Sequence, residues 1–141
     1  MPELDKVDAK NWVARGASET FVEQLESSKQ QARALADGAK ALARNPEKLS
    51  MSLELFFRIE GLETMLGSLQ DGLRKYQGPR AAQGLASVNA EGGANRERFR
   101  SYIVNLAAER EHQFEVMDRE AQRCRGTLMA PTPPKTTGRK K

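Results

Sequence analysis

Residues 55–76, LFFRIEGLETMLGSLQDGLRKY, decide the fold. Leu55, Ile59, Leu62, Leu66, Leu69, Leu73 and Tyr76 step by four and three, the spacing of a heptad seam. An apolar stripe that recurs every 3.5 residues leaves water only by packing lengthwise against another helix. Flanking residues Leu49, Leu53, Phe56, Phe57 and Met65 make the first half of this helix apolar on more than one face, so it must meet at least two partners. Asn45 and Pro46 are placed to start it and Gly78 with Pro79 to end it, which gives a helix over about 46–77.

Working outward, the segment 18–44 carries a second seam, Phe21, Leu25, Ser28, Ala32, Leu35, Ala39 and Leu42, with Thr20 and Glu23 at capping-box spacing. Its small residues allow close approach but bury little area. A third helix is expected over 95–128, capped by Asn95 and carrying Phe99, Ile103, Leu106, Phe114, Met117, Ala121, Cys124 and Leu128. Near Arg110 this pattern takes an extra four-residue step, a stutter that would unwind a supercoil locally. Between the last two helices, residues 78–94 hold Gly84, Gly92 and Gly93 and read as a connector, with room for one short helix at 80–89. Leu4, Val7, Trp12 and Val13 have helical spacing ahead of Gly16 and predict a short arm over 1–16.

The expectation is therefore an all-α chain: an antiparallel, coiled-coil-like three-helix bundle over 17–128, preceded by a short N-terminal helical arm and followed by a disordered C-terminal tail, 129–141. That tail is Pro- and Thr-rich, lacks any apolar period and carries Lys135, Arg139, Lys140 and Lys141. The whole chain has 23 basic and 19 acidic residues, so its net charge of +4 resides in those four tail residues and the remainder is formally neutral. A basic nucleic-acid-binding domain is not what the charge describes.

Site chemistry is sparse. Cys124 is the only cysteine, which excludes an intramolecular disulfide and multi-cysteine zinc sites. On the seam of the last helix it reads first as an inert buried thiol. Arg119, Arg123 and Arg125 nearby make it also the candidate reactive thiol, since cations activate thiols. Glu109 and His112 have the Glu-x-x-His spacing of di-iron bundles, but such sites need a second pair and His112 is the only histidine. No glycine-rich phosphate loop is present and no cofactor is implied.

By elimination the chain reads as a non-enzymatic helical scaffold or protein-interaction module, with Phe56, Phe57 and Trp12 as candidate interaction residues. Trp12 reads first as the anchor of the arm. The alternative is a nucleic-acid-associated helical protein using Arg96, Arg98, Arg100 and the tail; a metal or haem bundle is a further one. Small residues in the second segment cannot cover the large seam of residues 55–76, which favours a homodimer over a monomer, with Phe56 or Phe57 shared. No stretch reaches the roughly 18 apolar residues of a membrane span, and the start is unlike a signal peptide. A cytoplasmic protein is the default expectation, and a mature exported domain is the alternative.

Overall fold

The computed structural model describes residues 2–129, and among these every regular element is an α-helix. The order is α1 (Pro2–Asp5), α2 (Ala9–Ala14), α3 (Thr20–Arg44), α4 (Leu49–Tyr76) and α5 (Pro79–Met129). The expected basic tail lies outside the described residues. The described residues divide into two units, 2–106 and 107–129. No described helix is long and apolar enough to cross a membrane.

In the first unit α3 and α4 run antiparallel. Ser68 Oγ donates to Gln24 Oε1 at 3.0 Å, and Gly38 meets the side chain of Leu55. The seam read from the sequence is the core line of α4: Leu55, Leu62, Leu66, Leu69 and Leu73 are buried, with Ile59 and Tyr76 half-buried. The early part of α5 returns along α4, with Ala82, Leu85 and Ile103 buried and Arg96 paired to Glu63 at 2.8 Å. Within residues 1–106 this side-by-side packing of three long helical segments is compatible with a bundle.

The arm closes one end of that unit. Expected as one helix, it forms two short ones, because Asp8 breaks the first and caps the second, its carboxylate accepting from Asn11 N at 3.2 Å. Leu4, Val7, Ala9 and Trp12 join Leu25, Leu66, Leu69, Leu73, Ala82 and Leu85 in the core. Trp12 is 0% exposed. It stacks on Tyr76 and meets Phe21 edge-on, at centroid distances of 5.8 and 5.4 Å. Gly16 then takes a φ of +100°, a turn that only glycine makes without strain.

Three local expectations are corrected. Residues 79–94, expected as a connector, are the first turns of α5, and Asn95 lies inside that helix instead of capping it. Gly78 does take the left-handed conformation, φ +95°, at the end of α4. Pro79, however, starts a helix as readily as it stops one, since its missing amide hydrogen needs no partner in a first turn. At the other turn Asn45 serves the helix behind it. Its side-chain amide donates to Ala41 O at 3.3 Å, and α4 begins at Leu49 after Lys48. The Thr20–Glu23 capping box does not form. Ser18 Oγ accepts from Thr20 N instead, at 3.3 Å.

In the second unit residues 107–129 are helical, and every residue from Ala108 to Leu128 is exposed. The late part of the expected seam, Phe114, Met117, Ala121, Cys124 and Leu128, therefore has no cover among the described residues.

Candidate interaction surface

At the end of the first unit away from the arm, aromatic and aliphatic side chains of α4 and α5 meet. Phe56 lies against Phe57 and Phe99, with centroids 6.0 and 6.3 Å apart, and Phe99 stacks on Tyr102 at 6.3 Å. Tyr102 donates from its hydroxyl to the carbonyl of Pro46 in the α3–α4 turn. That bond ties α5 to the turn.

Beside this cluster a groove of about 170 Å³ is lined by Leu53, Phe56, Phe57, Arg100, Ile103 and Val104. Ile103 is buried beneath it, whereas Phe57 is 62% and Val104 56% exposed. Phe57 and Val104 thus stand open around a buried aliphatic residue. Arg100 adds one cation to the rim, 4.0 Å from Glu97.

A second cavity of about 200 Å³ lies between Leu35, α4 and α5, with Leu62, Glu63, Val88 and Arg96 in its wall. It is smaller than the roughly 300–1,000 Å³ of small-molecule pockets. Glu63 Oε1 and Arg96 Nε are buried there without hydrogen-bond partners, so the pair is joined by a single strand of its possible fork.

Comparison of the chain with protein-family models, curated proteins and solved structures finds no match. The surface must be read from its residues alone.

The candidate residues separate accordingly. Phe56 and Phe57 lie together in the groove. Trp12 is the core anchor it first reads as, and its second reading as a surface residue is corrected. Its Nε1 donates to Gln77 Oε1 at 2.7 Å, the same oxygen receives Asp8 N at 3.1 Å, and Gln77 Nε2 returns a bond to Lys6 O at 3.3 Å. Arg96 is engaged with Glu63 and half-buried, whereas Arg98 and Arg100 are exposed. The apparent conflict of those arginines with a helix dipole disappears. α5 starts at Pro79, more than four turns earlier, beyond the single turn over which the dipole acts. Cys124 is exposed, a correction to the buried thiol expected on the seam. Glu109 and His112 are exposed too, and no group of three or more acidic, His or Cys residues able to hold a metal occurs among the described residues.

Two contributors escaped the sequence reading. Val104 lies next to the seam residue Ile103 and off the seam itself; only the pairing of α5 with the Phe-rich start of α4 makes it part of a surface. Gln77 gave no signal, because a polar residue at a helix end ordinarily faces water.

Proposed function

We propose that this chain is a non-enzymatic helical scaffold whose groove between α4 and α5 receives an apolar helix of a partner protein. The observation that carries this reading is the asymmetry of the first unit. One end buries its apolar side chains beneath the arm, while the other leaves Leu53, Phe57 and Val104 exposed over a buried Ile103. Burial of those side chains needs a ligand with its own apolar stripe, and a helix laid in a groove supplies anchors at three- and four-residue spacing. Arg100 on the rim favours an acidic residue on that helix.

Phe57→Glu and Val104→Glu place charge on the exposed lip without touching the core. Each variant is expected to keep the melting midpoint of the native chain and to lose the partners captured by cross-linking in the source cells. Capture of the same partners by both variants defeats the proposal. Loss of a native dimer in light scattering on Phe57→Glu would identify the occupant as a second copy.

A further inference from the structure

The helical residues 107–129 carry an apolar stripe that the groove does not use. Phe114, Met117, Ala121, Cys124 and Leu128 follow steps of three, four, three and four, which confines them to about 80° of arc on a straight helix. Phe114 is 72% exposed, Met117 66% and Leu128 85%. Such a stripe has the spacing of the a/d seam of a coiled coil.

From this stripe and the charges beside it, we propose that residues 107–129 pair in parallel with the same residues of a second copy of this chain. Taking Phe114, Ala121 and Leu128 as a positions and Met117 and Cys124 as d positions, Gln113 and Glu120 occupy g and Glu111, Asp118 and Arg125 occupy e. In a parallel dimer each g residue faces the e residue five positions later on its partner, which puts Glu120 against Arg125 and Gln113 against Asp118, twice over by symmetry. No like charges meet.

Antiparallel pairing is poorer in both registers that the seam permits. The register that sets Phe114 opposite Cys124 and Met117 opposite Ala121 faces Asp118 with its own copy and Glu120 with its own copy. The register that sets Met117 opposite Leu128 removes these clashes, but it moves Phe114, the largest seam residue, opposite position 131, outside the described helix. Within one helix the charges set no preference, since the like pairs Glu111–Glu115 and Arg119–Arg123 stand against the opposite pair Glu115–Arg119 at the same four-residue spacing.

Two heptads make a weak dimer, so association should depend on concentration. In the parallel register Cys124 faces Cys124 across the dimer axis, which provides a zero-length reporter. With oxidised glutathione, the thiolate of one copy displaces one glutathione thiol to form a mixed disulfide. The second copy's thiolate then attacks the protein sulfur and releases the other, leaving one Cys124–Cys124 bond and two reduced glutathiones.

Sedimentation of the full-length reduced chain over a ~100-fold dilution series is expected to show monomer passing to dimer. Met117→Glu is expected to weaken association about tenfold or more, with the melting midpoint of the bundle retained because Met117 is exposed and lies outside the core of its own chain. Glu120→Arg should weaken it as well, and Glu120→Arg with Arg125→Glu should restore it. Oxidised glutathione should give a covalent dimer in the native chain and none in Cys124→Ser. Monomer at every concentration, a dimer indifferent to Met117→Glu, or a dimer that neither recovers in the double charge exchange nor forms the disulfide overturns the proposal.

Discussion

Glycines 61, 67 and 72 all lie in α4, yet only one of them faces a neighbour. A Cβ at Gly72 would stand 2.6 Å from Cζ3 of Trp12 and 3.1 Å from Cε1 of Phe21, whereas nothing lies within 4 Å of a Cβ at Gly61 or Gly67. Trp12 cannot retreat, since Gln77 holds its indole nitrogen and Tyr76 its face. Gly72→Ala is therefore expected to destabilise by about 1–3 kcal/mol through overpacking, against a helix-propensity gain of at most about 1 kcal/mol. Gly61→Ala and Gly67→Ala should each stabilise by about 0.5–1 kcal/mol. Denaturant midpoints of the three variants decide the matter, and a stabilising Gly72→Ala would mean that Trp12 does not occupy this site. The three glycines look alike in the sequence. What separates them is an arm some sixty residues away, which no local pattern registers.

Among the elements, the seam of α4 was legible and the course of α5 was not. The α4 seam is self-contained, because seven large residues at heptad spacing leave no other conformation that buries them. Leu62→Asp or Leu66→Asp puts a carboxylate among Leu69, Leu73 and Leu25, and the cost of several kcal/mol approaches the roughly 5–15 kcal/mol that holds a domain together. Loss of cooperative unfolding by circular dichroism is the expected result. For α5 the signals conflicted. Gly92 and Gly93 are poor helix formers, and the apolar content from Pro79 to Ala94 is thin, so a connector was the natural reading. The helix survives there because Ala82 and Leu85 are buried beneath the arm and against α4, a tertiary gain that outweighs local propensity. The groove was half legible for the same reason: Phe56 and Phe57 declare themselves within α4, but Val104 joins them only once α5 is known to return alongside. Gly93→Pro separates the two readings. In a connector it would be tolerated, whereas in the observed helix it removes an amide donor and strikes the carbonyl of Asn89, at a cost of about 3 kcal/mol. A lowered thermal midpoint for Gly93→Pro, with Gly93→Ala at or above the native value, is the expected pair of results.

Across the whole molecule, stability and surface are assigned to different stretches of chain. No described residue after Ile103 is buried, while Leu4, Val7, Ala9 and Trp12 all are. A chain ending at Ala107 should therefore unfold at nearly the native midpoint, within about 0.5 kcal/mol at dilutions where the chain is monomeric, because it loses no buried side chain. Its far-ultraviolet signal should fall only by the helical residues removed. A chain beginning at Ala17 should behave in the opposite way. Removal of Trp12 alone is worth about 3–5 kcal/mol, and Leu4 and Val7 depart with it, uncovering Leu69, Leu73, Leu85 and the face of Tyr76. That sum is comparable with the entire stability of a domain of this size, so the expected product is a partly folded, aggregation-prone chain. Thermal melts of the two truncations, each followed by circular dichroism and light scattering, test this directly. A stable, monomeric chain lacking residues 1–16 would show that the arm decorates a bundle already complete without it, and the contrast between a closed and an open end, on which the groove's proposed role depends, would lose its force.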